Sequence, residues 1–323
     1  MTASKNWKEI IQDGEEERYA KYAKIFSILQ KTKSKEFGNG RALHRKQILG
    51  LKTKLEIFAD IPDYAKAGIF KSAKTFDGVV RLSNGGLDVS ADSKPDIRGF
   101  SIRLNVEGDG ALGEKTTAQC FLMINQETFS TENSEGFVNF VGAAAGGGKS
   151  LFKYLYNTHG FFGLFGQILK MKNTFGRPFS GFATEKFSTV LPISCGEYAC
   201  KARIVPSPTE KKNPSAKNDF SRDIKDKILD HNIEFDFELQ FFVDEKSTPI
   251  EKADVEWSEK ISPFVKVGKL TLLKDEVESE SFQKSIEANV FDPWASLKEH
   301  KPLGDVMRAR KVVYFQSYKN RSK

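Results

Sequence analysis

Three residues near the carboxyl end of the chain, Arg310, Tyr314 and Arg321, have the types and spacing of a metal-binding group. In a helix, spacings of four and seven residues place these side chains on one face, because an α-helix repeats about every 3.6 residues. A phenol flanked by guanidinium groups favours its phenolate form, which is an anionic oxygen ligand for a ferric ion. The spacing therefore predicts a tyrosinate ligand of the kind that holds a haem iron, although Arg and Tyr four apart also occur on ordinary half-buried helices.

Two further segments carry polar residues at which chemistry could occur. Arg41 and His44 lie three residues apart after a glycine-containing loop, so one short segment supplies both a cation and an acid–base group. Arg81 lies within an apolar run, and a buried charge is costly unless it meets an anion. Arg81 is therefore expected either to bind a carboxylate or to form a surface salt bridge.

The composition indicates a large core and no nucleic-acid groove. The 323 residues are 39% hydrophobic and include 27 Phe, which suits either an enclosed apolar ligand or an aromatic-rich β core. The formal charge of +7 is spread along the chain without a basic run interleaved with aromatic residues, so nucleic acid is not an expected partner. Weak attraction to anionic membranes or lipid carboxylates is compatible with this charge.

The cysteines and the amino terminus bear on the compartment. Cys120, Cys195 and Cys200 match neither a disulfide framework nor a zinc-binding spacing, and no C-x-x-C-H motif is present. Any haem would therefore be held without covalent attachment. The amino terminus lacks the apolar core of a signal peptide, and no apolar span of about 18 residues occurs. These features predict a cytoplasmic protein.

Hydrophobic periodicity predicts the elements that position these residues. Amphipathic helices are expected at about 6–30 and within 133–173, with a short helix at 219–229. The glycine-rich run at 142–150 is not a phosphate loop, because the motif would need a glycine at Ala143 and a strand before it. Eight segments alternate as strands do, at 51–58, 78–83, 97–106, 119–125, 188–191, 198–205, 233–243 and 265–273.

These elements predict an α+β fold with an antiparallel β-barrel core, because closure of the sheet removes its exposed edges. Inserted helices and a carboxyl-terminal helix that carries Tyr314 complete the expected architecture. Residues 1–39 are expected to form an N-terminal helical arm and residues 40–323 the barrel domain. No internal repeat or long linker is visible, so the prediction is one domain overall.

From about residue 40 to residue 321 these segments resemble the haem catalases and their small catalase-related relatives. Arg41-Ala-Leu-His44 is similar to the family's Arg-x-x-His segment, and residues 80–83, Val-Arg-Leu-Ser, to its Val-Arg-Phe-Ser strand. Residues 96–103, Asp-Ile-Arg-Gly-Phe-Ser-Ile-Arg, resemble the Asp-Pro-Arg-Gly-Phe-Ala-x-Lys signature, and residues 121–129 the strand that carries the distal asparagine. The spacing of Arg310, Tyr314 and Arg321 is similar to the proximal motif of these tyrosine-ligated haem proteins.

The resemblance implies a non-covalent haem b with Tyr314 as the iron ligand. It implies that His44 is the distal acid–base group and that Asn125 orients the substrate, so both would be catalytic residues. The remaining residues that it places around the haem are Arg41, Arg81, Ser83, Phe129, Arg310 and Arg321.

Departures from the family pattern bear on the substrate more than on the haem. Leu43 stands where true catalases carry valine, and Ser130 replaces the second of two adjacent phenylalanines. The chain lacks the length for the wrapping segment and carboxyl-terminal domain of full catalases, and 291–294 and 300–304 resemble the small relatives. A haem peroxidase acting on organic or fatty-acid hydroperoxides is therefore expected, with weak or no catalase activity.

Several alternatives stay open at the level of sequence. Within the same class, the chain could dismutate hydrogen peroxide as a mini-catalase or rearrange fatty-acid hydroperoxides as allene oxide synthase-like relatives do. Outside it, a non-enzymatic haem- or lipid-binding barrel and a cofactor-free interaction module are compatible with the pattern. The resemblance also implies self-association, since small relatives commonly form homo-oligomers.

Overall fold

An eight-stranded antiparallel barrel forms the centre of the computed structural model, which describes residues 3–274 and 279–322. The sheet order is β5-β4-β3-β2-β1-β9-β8-β7, and pairing of β5 with β7 closes the barrel, while β6 extends the sheet beside β7. The predicted α+β barrel is thus confirmed. The strands are β1 (Gln47–Ile57), β2 (Lys74–Asn84), β3 (Arg98–Asp109), β4 (Lys115–Ile124), β5 (Phe187–Ser188), β6 (Ile193–Cys195), β7 (Tyr198–Pro206), β8 (Ile233–Phe241) and β9 (Val265–Leu272).

The barrel forms because its strands alternate apolar and polar side chains, which gives the sheet one buried face. In β8, the alternate residues Ile233, Phe235, Phe237 and Leu239 are buried, while Glu234 between the first two is exposed. Phe237 contacts Phe121 of β4 edge to face, with ring centroids 5.2 Å apart. The abundance of Phe therefore builds a packed aromatic core inside the barrel.

In the part of the chain that the structure describes, six α-helices surround the barrel, and three of them enclose a second apolar cluster. Tyr19 and Phe26 of α1, Val138 and Val141 of α2, and Ala309 of α6 are buried together there. No helix in the described ranges is long and apolar enough to cross a membrane. The helices are α1 (Glu15–Phe37), α2 (Ser134–Ala145), α3 (Gly148–Phe175), α4 (Phe220–Asp230), α5 (Glu280–Ala288) and α6 (Asp305–Arg321).

The amino-terminal helix differs from its predicted bounds, 6–30. It begins at Glu15, after Gly14 in a left-handed conformation (φ 72°), and continues to Phe37. The spacing of Trp7 and its apolar neighbours has another cause, since the Trp7 side chain packs on a separate cluster and donates a hydrogen bond to the carbonyl of Glu197 (2.9 Å). The segment before Gly14 is thus a packed non-helical strap. Of the predicted arm and barrel ranges, residues 1–2, 275–278 and 323 lie outside the described part.

A charged cluster anchors the beginning of α6. Arg308 donates hydrogen bonds to carboxylates of Glu9 (2.9 Å), Glu15 (2.8 Å) and Glu251 (3.0 Å), and its side chain is 12% exposed. Burial alone would raise the pKa of Glu15, but the hydrogen bonds from Arg308 and from the Gln12 backbone lower it to about 2. The cluster joins α6 to the amino-terminal segment and fixes the helix that carries Tyr314.

Candidate functional site

A cavity of about 370 Å³ lies where the barrel meets α1, α2 and α6. This volume falls within the range of cofactor sites, about 300–1,000 Å³. Most of its wall is apolar, and α6 and the 41–44 segment contribute several of its polar groups. Apolar lining residues from five parts of the chain include Phe26, Leu87, Met123, Phe137 and Val313.

α6 presents Arg310, Tyr314 and Arg321 to the cavity, and all three line it. Arg310 donates a hydrogen bond to the Tyr314 hydroxyl (2.7 Å), and the centre of its guanidinium group lies 4.9 Å from the centroid of the tyrosine ring. A cation that donates to a phenol oxygen stabilises the phenolate. This arrangement places a phenol oxygen that accepts a charged hydrogen bond inside an apolar cavity.

Three arginines converge on one residue, Glu287, beside this pair. Arg41 and Arg81 both donate to the Glu287 side chain, the latter at 2.8 Å, and Arg41 also donates to the Glu287 carbonyl (2.9 Å). Arg321 donates to the same carbonyl (3.3 Å). Arg81 is 2% exposed, so the surface salt bridge considered for it is excluded, and its anion in this structure is Glu287 of the chain itself.

The arginine cluster carries more positive charge than Glu287 balances. Three guanidinium groups and one carboxylate leave an excess of two positive charges. The pKa of Arg41 falls to about 9, because it is buried and because Arg81 lies near it. Among the described residues, Arg321 Nε is buried without a hydrogen-bond partner. The cluster is thus suited to binding a further anion, ideally one with two negative charges.

His44 lines the cavity in a constrained position. Its backbone is left-handed (φ 51°), its amide donates to the Gly85 carbonyl (3.0 Å), and its Nδ1 lies 3.0 Å from Ser83 Oγ. A Cβ at position 99 would lie 2.5 Å from His44 Nδ1, so Gly99 leaves the room that this pair needs. Within the described ranges Nε2 has no hydrogen-bond partner.

The ionisation of His44 is set by its surroundings. Burial, followed by the charges of Arg81, Arg310 and Arg41, lowers its pKa to about 3. The imidazole is therefore neutral near pH 7 and has a lone pair available to accept a proton. On the other side of the cavity, burial raises the pKa of Asp292 to about 6, against the influence of Arg310.

The other expected site residues divide into two groups. Phe129 lines the cavity, while Ser83 reaches it indirectly through His44. Asn125 is buried but does not line the cavity, because its amide oxygen accepts a hydrogen bond from the Arg98 backbone (2.7 Å). The structure therefore does not bring Asn125 to the group formed by His44 and the arginines.

Glu287 is the functional candidate that sequence reasoning missed. No motif marks it, and it lies in α5, a short helix that was not expected. The available signal was charge balance, since arginines predicted to lie together in an apolar setting require a carboxylate somewhere in the chain.

Comparisons with known proteins agree with the architecture. This chain is similar to the solved structure of a fungal catalase, with a TM-score of 0.71 and 18% identity over 87% of this chain and 59% of the catalase. It is also similar to catalase A from Saccharomyces cerevisiae, with a TM-score of 0.70 and 16% identity over 87% of this chain and 61% of that one. A bacterial catalase is similar with a TM-score of 0.65 and 18% identity, covering 91% of this chain and 60% of that one. No protein-family model matches the sequence, and no curated protein matches it significantly.

The chain therefore has the catalase-like fold, and the resemblance found in the sequence is confirmed at that level. It spans about three-fifths of the length of these catalases. At identities of 16–18%, the similarity establishes the fold alone. Membership of the small catalase-related subgroup stays a prediction.

The variant Glu287→Gln tests the arginine cluster. In haem-free protein we expect its free energy of unfolding to fall by about 1.5–3 kcal/mol, since Arg41 and Arg81 lose a charged hydrogen-bond acceptor. Urea denaturation measures this. Glu280→Gln is the control on the same helix, because the exposed pair that Glu280 forms with Lys284 contributes only about 0.5 kcal/mol. Equal losses in the two variants would contradict the account.

The variant His44→Gln tests the ionisation of His44. Because its folded pKa is depressed from 6.5 to about 3, the unfolded chain binds more protons in that window, and stability falls as the pH falls through it. The slope is about 1.4 kcal/mol per pH unit, so His44→Gln should lose about 2 kcal/mol less than wild type between pH 7 and pH 5. Urea denaturation at each pH checks this, with the exposed His159→Gln as control. Parallel curves for wild type and His44→Gln would refute the assignment.

Proposed function

We propose that the chain holds a non-covalent haem b in this cavity and acts with it as a peroxidase on organic or fatty-acid hydroperoxides, with weak or no dismutation of hydrogen peroxide. One observation carries the proposal. A single apolar cavity contains both a tyrosine that accepts a hydrogen bond from Arg310 and an arginine cluster with two excess positive charges. The catalase-like fold and the sequence motifs support it.

The residues present fit this cofactor. A haem b carries two propionates, and two negative charges equal the excess on Arg41, Arg81 and Arg321 once Glu287 is counted. The Tyr314 oxygen would ligate the iron as a tyrosinate, and Arg310 is placed to donate a hydrogen bond to that oxygen. Bound in this way, the haem supplies the redox chemistry that cleaves a peroxide oxygen–oxygen bond.

His44 is the proton carrier in this proposal. Its neutral imidazole can accept the proton of a hydroperoxide and return it to the leaving oxygen, which avoids release of an unprotonated alkoxide. Ser83 and the Gly85 carbonyl fix the ring and its backbone for that transfer. Anions on Arg41 and Arg81 would offset two of the charges that depress the pKa of His44, so binding of the propionates would make it a better base.

Asn125 keeps a proposed role that comes from the sequence resemblance. Its amide oxygen accepts a hydrogen bond from the Arg98 backbone and the residue does not line the cavity, so direct contact with a substrate would require the side chain to leave that bond. The substrate class rests on the apolar wall of the cavity, which includes Phe129 and Phe140. Apolar side chains favour a hydroperoxide with an organic group over hydrogen peroxide.

Replacement of Tyr314 by Phe tests the iron ligand. Loss of the anionic oxygen should lower the haem retained per chain at least tenfold, as measured by the Soret absorbance of protein expressed with added haem precursor. Tyr64→Phe is the control, because Tyr64 packs against Phe241 (ring centroids 4.9 Å apart) and does not line the cavity. A Tyr314→Phe protein with full haem and an unchanged Soret band would refute the assignment.

Turnover of different peroxides tests the substrate class. With an excess of a chromogenic electron donor, we expect kcat/KM for a fatty-acid hydroperoxide to exceed that for hydrogen peroxide at least tenfold, because only the former buries apolar surface in the cavity. Product analysis separates reduction to the alcohol from rearrangement to an epoxide. Rapid oxygen evolution from hydrogen peroxide as the dominant reaction would contradict the proposal.

A further inference from the structure

Exposed aromatic side chains are concentrated on α3. Of the five phenylalanines that are exposed in the described residues, four lie on this helix, and Phe162 is 89% exposed. The helix bends at Gly160 (φ 66°), and Phe161, just beyond the bend, contacts Phe162 and Phe165 edge to face. We call the following residues the aromatic surface of α3: Phe152, Tyr156, Phe161, Phe162, Phe165 and Leu169.

The same part of the chain carries basic charge without acidic charge. Residues 137–184 contain five Lys or Arg and no Asp or Glu, whereas the whole chain has 43 acidic residues. Lys149, Lys153 and Lys172 are exposed on α3 beside the aromatic surface. Exposed aromatic residues with flanking lysines and no carboxylates are the features of a helix that lies in the interface of an anionic membrane.

A second copy of the chain is a poorer partner for this surface. A two-fold symmetric dimer places the same patch of each subunit against the other. Two acid-free basic surfaces would then face each other, and like charges would oppose the contact. The charge therefore favours an anionic lipid surface over self-association.

The helix that carries the aromatic surface also contributes to the wall of the cavity. Thr174 and Phe175 at the end of α3 line the cavity, and Phe175 stacks on Phe140 of α2 with ring centroids 6.2 Å apart. Gln126, which also lines the cavity, donates a hydrogen bond to the Thr174 carbonyl (3.1 Å). A membrane bound at α3 would thus lie beside one wall of the cavity.

From these observations we infer that α3 docks the protein on anionic bilayers, with its aromatic surface in the headgroup region and its lysines on the lipid phosphates. Docking there places the cavity next to acyl chains, so the hydroperoxides that reach it are those of membrane lipids. This choice of substrate rests on the proposed function. The docking itself does not, since it needs no haem.

Vesicle flotation tests the docking with the full chain, whose haem content is measured on the same preparation. The protein is mixed with vesicles of phosphatidylcholine alone or with 30% phosphatidylglycerol, at low and high salt. We expect binding to the anionic vesicles, at least tenfold weaker binding to neutral vesicles, and a marked loss at high salt. The double variant Phe161→Ser/Phe162→Ser should lose at least tenfold in partitioning.

The control is Leu229→Ser, which removes an exposed apolar side chain from α4 and should bind as wild type does. Circular dichroism establishes that each variant is folded. Wild-type binding that the double variant retains would overturn the assignment to α3. Absence of vesicle binding would overturn the docking. A wild-type oligomer that the double variant dissociates, and the control variant does not, would also overturn it, because α3 would then be a contact between protein chains. Each of these results leaves the haem measurements unaffected, so the two proposals fail separately.

Discussion

The ion pairs of the buried Arg81 and the largely buried Arg41 with Glu287, whose side chain is 36% exposed, are the interaction on which the cavity depends. A guanidinium group removed from water costs several kcal/mol unless it is paired and hydrogen-bonded. Close packing of α5 on β1 supplies the partner, since a Cβ at Gly50 would lie 2.7 Å from Ile286 and Gln283 exchanges hydrogen bonds with the Gly50 backbone. That approach places Glu287 among the arginines, where it balances one charge of three and leaves the remainder for a ligand.

The barrel positions one side of the cavity, and the helices position the other. β2 carries both Arg81 and Ser83, so a single strand positions one member of the arginine cluster and the partner of His44. On the opposite side, Asp305 at the start of α6 accepts hydrogen bonds from the Tyr19 hydroxyl and the Ser134 backbone, each 2.7 Å long. α6 is thus fixed to α1 and α2, and the position of Tyr314 follows from that anchoring.

Much of the fold could be predicted from the sequence because its strands each have one buried face. The alternation of apolar and polar residues in β8 predicted that strand, and the number of such strands predicted closure of the sheet. The predicted start of α1 was wrong. The spacing of Trp7 and its neighbours resembles that of a helix, but this segment is a non-helical strap, and α1 begins only after Gly14. α5 was missed because a nine-residue helix has only two large apolar side chains, Phe282 and Ile286, which are too few to establish a period.

The candidate site could be predicted only in part from the sequence, for a related reason. Local spacing predicts which residues share a face of α6, and all three of its residues line the cavity. Spacing says nothing of partners distant in sequence, such as Glu287, which lies 246 positions from Arg41. It also says nothing of how Asn125 is used, since the hydrogen bond to Arg98 arises only when β3 and β4 pair.

The central claim is that this cavity is a haem site built on Tyr314 and the arginine cluster. Titration of the haem-free chain with ferric haem, followed by absorption and by resonance Raman spectroscopy, tests it most directly. The account predicts saturation at one haem per chain, with vibrations of an iron-bound tyrosinate. Binding that does not saturate, or a saturated complex without tyrosinate vibrations, would contradict it.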